Sequence, residues 1–391
     1  MNNGMTSHQA DLADPQGGGE VHADLSVVVR GLWSMDTVVA HAERIRRLSV
    51  EDYEREVIQP QRQPGRLSAR RIMQGISTQI VREADKGPLL IMEVVCGSSA
   101  GGSRTLGLIA QNREHAAGVW GPEHHLEAAA AAADFARRAI PVVTFMDTPG
   151  ADAGERANLG NQAHSISRLI TVMTQLPVPT LGIIVGTAYS GGAIPLAATN
   201  LLLSVKDGIF STIQPQGLAS IARKQKLAWQ QCAQIVGVAA CETVRHGWLD
   251  GIIDFSPNLH REGFSAVIEA ILSGIDWIEE RARLFVLRDD AIEQEYWEGV
   301  RRYLEKRDCL QGIENSYYRG APTEFANPFG LAYRQLRFAR LRARMSFTRI
   351  DSLPESLPQS QWPVGEAGAM DRASVLQDWI RSRKSSSTKS V

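Results

Sequence analysis

Cysteine is scarce in this chain of 391 residues: only Cys96, Cys232, Cys241 and Cys309 occur, widely separated. No Cys-x-x-Cys pair is present, which excludes an encoded zinc ribbon or disulfide framework, and no metal is expected in this chain. An excess of either charge is also lacking, with 42 Lys and Arg against 43 Asp and Glu. Such a balance offers no footprint for nucleic acid, and none is expected as a partner. The opening stretch Met1–Glu20 has no apolar centre and does not read as a signal peptide. One long segment, between Arg168 and Lys206, lacks charge altogether. A membrane helix needs about 20 predominantly apolar residues, but Pro177, Pro179, Pro195 and four glycines break this one up. Strand, turn, helix and strand suit it better than a single helix. The expectation is a cytoplasmic protein without a membrane partner.

What is present is an ordinary globular composition, 43% hydrophobic and 22% charged, enough for a sizeable core. Residues 1–24 are polar and read as disordered. Residues 25–84 read as a helical N-terminal segment, including helices over Asp36–Leu48 and Leu67–Ala84. From 85 to 256 the rhythm is that of a layered α/β core. Short apolar runs at Pro88–Cys96, Thr105–Ala110, Ile140–Met146, Val178–Val185, Leu201–Val205 and Phe210–Ile213 read as strands. Between them, Glu123–Ala139, Gln162–Gln175 and Gly191–Thr199 read as helices, with Gly186–Ser190 as a turn. Residues 257–350 read as a C-terminal helical region and 351–391 as a mostly flexible tail, with a short helix at Met370–Arg383. Arg334, Arg337, Arg340 and Arg344 recur at helical spacing and suggest a solvated or subunit-facing helix more than an anion site. His124 and His125, at a helix start without nearby cysteine, read as surface residues.

Three chemistries suit the turns of the core. The Gly97–Thr105 loop after a strand, with Asp147-Thr148-Pro149-Gly150 later, imitates a phosphate-binding loop. Ser103 stands where such a loop needs its lysine, which counts against that reading. Ala188-Tyr189-Ser190-Gly191-Gly192 approximates a nucleophile elbow. Its serine needs an imidazole, and His164 and His246 are the nearest in sequence. The third reading needs no nucleophile. Small residues after a strand open backbone N–H groups toward a ligand, and the following helix points its positive end there. Such donors stabilise a developing oxyanion, each typically by about 3–4 kcal/mol. Gly191 and Gly192 are the candidate donors, and tight strand–helix packing is the competing reason for glycine at both.

From Trp120 to Ile253 several pieces resemble the alpha subunit of bacterial acetyl-CoA carboxylase carboxyltransferase, in that family's order. They are Ile140–Ala151 (IPVVTFMDTPGA), Leu176–Ile184 (LPVPTLGII), Ser190-Gly191-Gly192-Ala193, Pro215 with Gly217, Ala219 and Ser220, and Trp248–Ile253 (WLDGII). The resemblance implies an α/β, crotonase-like spiral of ββα units with N-terminal and C-terminal helical extensions. It also implies an alpha-type subunit of a biotin-dependent acyl-CoA carboxyltransferase, moving a carboxyl group from carboxybiotin to an acetyl-CoA-like acyl-CoA. Carboxybiotin would arrive on a biotin carboxyl carrier protein. A beta-type carboxyltransferase subunit would complete a hetero-oligomer containing two copies of this chain. The implied catalytic turn is Ser190 with the donors Gly191 and Gly192, and the implied binding residues are Gly150, Ala151, Tyr189, Ala193, Gln216 and Gly217. In the Clp proteases, which share that architecture, a histidine lies about two dozen residues after the serine, just before a Gln-Pro pair. Here that place is Ile213, before Gln214 and Pro215. The chain departs from the carboxyltransferase pattern at Asp152-Ala153-Gly154, at Ala157–Asn161, at Gly186–Tyr189 and at Gln216. Those changes beside the site leave open a malonyl-CoA-type decarboxylase, a catalytically silent assembly subunit or, less well supported, a Ser190 hydrolase.

Overall fold

A computed structural model describes residues 24–98, 102–259, 263–287 and 330–347. The putty of the core is a mixed sheet of eight strands: β1 (Ser77–Lys86), β2 (Leu89–Ser98), β3 (Gly102–Gln111), β4 (Val142–Thr148), β5 (Thr180–Tyr189), β6 (Leu201–Val205), β7 (Ile209–Ser211) and β8 (Gly251–Ile253). The order is β1-β2-β3-β4-β5-β6-β8, and β7 pairs with β5 beyond the end of β6. Strands β1 to β3 are antiparallel, whereas every pairing from β3 onward is parallel. Parallel strands need crossovers, and the helices α3 (Pro122–Arg137), α4 (Gln162–Gln175) and α5 (Ser190–Ala197) supply the first ones. This α/β core with a parallel-rich sheet agrees with the expected fold class.

The parallel strands are apolar throughout because both faces are covered. Val142, Met146, Ile184 and Leu202 pack on one side with α3, α4 and α5, together with α1 (Met35–Arg46), α7 (Trp229–Val236) and α8 (Ala240–Arg245). Val143, Phe145, Leu181, Ile183, Leu201 and Leu203 face the other way, toward α2 (Ala69–Ile76), α9 (Ser265–Leu287) and α10 (Gly330–Phe347). A short helix α6 (Pro215–Ile221) lies between β7 and α7. Among the described residues no helix is long and apolar enough to cross a membrane.

Several expectations need correcting. The helix read over Leu67–Ala84 stops at Ile76, and Ser77–Lys86 is an edge strand paired along β2. Thr78, Ile80 and Val81 favour a strand there, and Ile72, Ile76 and Ile80 happen to fall at helical spacing. The phosphate-loop reading, already opposed by Ser103, loses further ground, since Gly97 and Ser98 pair with Ser103 and Gly102 and a strand follows, as its sequence suggests. Gly186–Tyr189 is not a turn but the end of β5, held by pairing of Thr187–Tyr189 with β7. Arg337 and Arg340 of α10 are not solvated. Arg337 is wholly buried and donates to Thr180 Oγ1, Asn200 Oδ1 and the carbonyls of Thr174, Leu176 and Val178, while Arg340 pairs with Asp250 at 2.6 Å. His125 is not on the surface but buried edge-on against Trp120, where desolvation lowers its pKa. The readings for residues 1–23, for Arg344's side chain and for the tail helix at Met370–Arg383 lie outside the described residues.

Candidate active site

The site is built at the C-terminal ends of β4 and β5, where adjacent parallel strands release their chains into turns. Asp147, near the end of β4, is buried and forms an ion pair of 2.5 Å with the equally buried Arg66. Its other oxygen accepts from Thr187 N at 3.2 Å, and Arg66 donates to Val185 O at 2.7 Å. The pair thereby ties the ends of β4 and β5 together. Gln111, at the end of β3, adds a second tie: it accepts from Asp147 N at 3.2 Å and donates to Gly192 O at 2.7 Å.

Two glycine turns meet on this frame. Thr148 folds the first, its hydroxyl donating to Gly150 O at 2.8 Å, with Gly150 at φ +144°. In the second, Ser190 adopts φ +56° at the start of α5, a left-handed conformation that costs a non-glycine residue about 1–2 kcal/mol. Gly192 is seated on the first turn: a Cβ there would lie 2.5 Å from the Gly150 carbonyl carbon and 2.6 Å from Ala151 N. Packing therefore requires glycine at 192. Gly191 is different, since a Cβ there would meet only Ile166 Cδ1, at 3.3 Å. Both amides lie in the first turn of α5, where N–H groups have no carbonyl one turn back within the helix. The half-exposed Gly191 is the more open of the two; Gly192 is buried.

Beside the turns lies a cavity of ≈ 180 Å³, lined in part by Arg62, Arg113, Pro149, Tyr189, Gln216 and Trp229. Burial raises the Tyr189 phenol above its ordinary range, opposed by the nearby Arg62. Among the described residues, no histidine or carboxylate lines it. Among the described residues no hydrogen bond joins Ser190 to a histidine, and His164 is exposed on α4.

Of the nine residues singled out from the sequence, Gly150, Ala151 and Gly192 meet in one contact, Ser190, Gly191 and Ala193 continue it along α5, and Tyr189 and Gln216 line the cavity. Gly217, on α6, neighbours Ile213. Sequence reasoning missed Arg62, Arg66, Gln111, Arg113 and Trp229. Gln111 and Arg113 carried a faint signal, a polar cluster directly after a buried strand. Arg62 and Arg66 carried none, because the N-terminal segment reaches the site only through the tertiary fold.

The geometry defines an α/β domain that presents paired backbone turns, without a nucleophile and base in contact. Residues 99–280 match the model of the family described as acetyl co-enzyme A carboxylase carboxyltransferase-like. The alpha subunit of acetyl-coenzyme A carboxylase carboxyl transferase from a Methylobacterium species is 34% identical over 165 residues, 40% of this chain and 51% of the relative. The alpha subunit from Streptococcus thermophilus is 32% identical over 165 residues, 42% of this chain and 61% of the relative. The fused beta/alpha subunits from Salinispora tropica are 34% identical over 160 residues, 40% of this chain and 28% of the relative. The chain thus spans less than two thirds of each of these relatives. Among solved structures, transcarboxylase 12S overlaps 57% of this chain and 43% of that chain at 15% identity, with a TM-score of 0.46. A Pseudomonas malonate decarboxylase hetero-dimer overlaps 54% of this chain and 86% of that chain at 16% identity, with a TM-score of 0.43.

Proposed function

We propose that this chain is the alpha-type subunit of a biotin-dependent acyl-CoA carboxyltransferase that moves a carboxyl group from carboxybiotin to an acetyl-CoA-like acyl-CoA. The observation that carries the reading is the contact of the two glycine turns at the ends of β4 and β5, inside the matched domain. Carboxybiotin is a substrate here, brought by a biotin carboxyl carrier protein. A beta-type subunit supplies the binding site for the thioester, in a cytoplasmic hetero-oligomer with two copies of this chain.

The residues present fit a ureido group. The amides of Gly191 and Gly192 act as donors to its oxygen as negative charge collects there, and the positive end of α5 adds to them. Gln61 Oε1, buried and without a hydrogen-bond partner, belongs to a residue lining the cavity and provides an acceptor for a ligand N–H. Ile58, Ile209 and Pro215 supply apolar wall. The Arg66–Asp147 pair and Gln111 hold the two turns in fixed geometry, which preorganised donors require. Ser190 contributes its backbone to the turn.

Co-expression with a beta-type partner followed by assay of malonyl-CoA-dependent carboxylation of free biotin tests the reading. Transfer that tracks the purified complex is the expected result. A complex that neither transfers the carboxyl group nor decarboxylates malonyl-CoA would refute it, and decarboxylation alone would favour the decarboxylase alternative.

A further inference from the structure

The first glycine turn is gripped from two sides, and Gly192 is only one of them. On the other side runs the chain between β3 and α3. Trp120 there forms a parallel β-bridge with Ala151, and its carbonyl accepts from Asp152 N at 3.1 Å. Gly118, two residues earlier, is packed so closely on Asp147 O that a Cβ would overlap it. The turn is therefore backed at both ends by residues 118–120. Trp120 is itself held in place. Its side chain is wholly buried, its indole N–H donates to Pro88 O at 2.7 Å, and its ring meets His125 edge-on, with centroids 5.4 Å apart. His125 Nδ1 lies 3.0 Å from Gly121 O, so that nitrogen carries a proton and ties the ring to the next residue of the same segment.

A second donor reaches the same carbonyl. Gln162 Nε2, in the first turn of α4, donates to Trp120 O at 2.8 Å. Gln162 is buried, and its Oε1 has no hydrogen-bond partner among the described residues. Burying an amide with its oxygen unpaired costs stability, so an apolar side chain of that length would serve packing better. One helical turn on, Ile166 is the side chain that a Cβ on Gly191 would meet. Residues four apart share a helix face, so one face of α4 braces both glycine turns.

We propose that Trp120 and Gln162 are positioning residues of the site. Gln162 fixes the Trp120 carbonyl, that carbonyl fixes the exit of the first turn, and the turn fixes the seat of Gly192. Preorganised donors must be held to within about 0.5 Å, and this shelf acts on them through Ala151 without touching a substrate. Only the reaction served rests on the carboxyltransferase reading.

The test uses the complex with its beta-type partner, assayed for malonyl-CoA-dependent carboxylation of biotin. Gln162→Met removes the donor and the unpaired oxygen together. Its melting temperature is expected to hold or rise, while kcat falls about 10-fold or more. KM for malonyl-CoA stays unmoved, the pattern of an interaction that counts only in the transition state. Trp120→Phe, which keeps the carbonyl and loses the bond to Pro88 O, is expected to show the same split between kcat and KM. Transfer at the unaltered rate in both variants overturns the proposal. So does a loss of rate that only follows the folded fraction, or loss of the fold in both, since either result assigns the two residues to packing.

Hydrogen exchange in the full chain alone reads the same contact without the reaction. Peptides covering residues 147–155 should exchange about 5-fold faster or more in Gln162→Met, with peptides from β2 unchanged. Unchanged exchange at 147–155 refutes the positioning and leaves the function standing. An unaltered complex that transfers nothing refutes the function, and the exchange measurement alone then decides the positioning.

Discussion

Replacing Asp147 by Asn tests the frame that holds the two glycine turns together. Asp147 and Arg66 are both nearly inaccessible, 1% and 2% exposed, so the pair is little screened by solvent. Asn keeps an oxygen for the Thr187 amide but sets an NH₂ group or a neutral oxygen against Arg66. Arg66 then loses its one close carboxylate among the described residues; it keeps its donation to Val185 O, while its Nε already lacks a partner. Removing one member of a buried ion pair costs about 3–5 kcal/mol. Urea unfolding followed by circular dichroism should show this as a lower midpoint at unchanged slope. The double variant with Arg66→Met should be destabilised by less than the sum of the single changes, a coupling of about 2 kcal/mol or more. A loss under about 1 kcal/mol for Asp147→Asn, or simple additivity, would refute the brace.

Gly192→Ala should destabilise the protein by about 1–3 kcal/mol, because the new Cβ would sit 2.5 Å from backbone in the facing turn. Gly191→Ala, which meets only the end of Ile166, should cost less than about 1 kcal/mol; equal melting temperatures for the two variants would contradict the packing. A pH dependence is expected at Glu242. Burial raises its pKa above the ordinary 4.5, with hydrogen bonds from Tyr53 and Ala239 opposing. The folded state then binds this proton more tightly than the unfolded chain. Its stabilising contribution is full below about 4.5 and declines as pH rises through the folded value. Between pH 5 and 8 the unfolding midpoint of Glu242→Gln should therefore gain on that of the unaltered protein, and parallel profiles would count against it.

The core strands and the site turns were readable because each is local. IPVVTFM and LLLSV are β-rich apolar runs of strand length, and a glycine between a strand and a helix can mark a close approach, as Gly192 does. Ser190–Ala197 and Gln162–Gln175 follow from the same patterns. What could not be read is set by distant residues. Arg337 looks like one of a solvated stripe, yet it enters the core because carbonyls at the end of α4 and in the segment leading to β5 accept its hydrogen bonds. β1 looks helical until β2 offers it an edge. Arg62 and Arg113, which line one cavity, are 51 residues apart in sequence, and only the tertiary fold brings them together.

In the proposed function the backbone at Gly191 stabilises charge during carboxyl transfer. Its most direct test is the rate of malonyl-CoA-dependent biotin carboxylation by the complex carrying Gly191→Val, measured beside its melting temperature. A valine side chain would block access to the Gly191 amide, and loss of one oxyanion donor lowers turnover about 10²–10³-fold. At least a 100-fold loss on that scale is expected, with the complex intact and its melting temperature nearly unmoved. Transfer at the unaltered rate in a complex that carries the valine would contradict it.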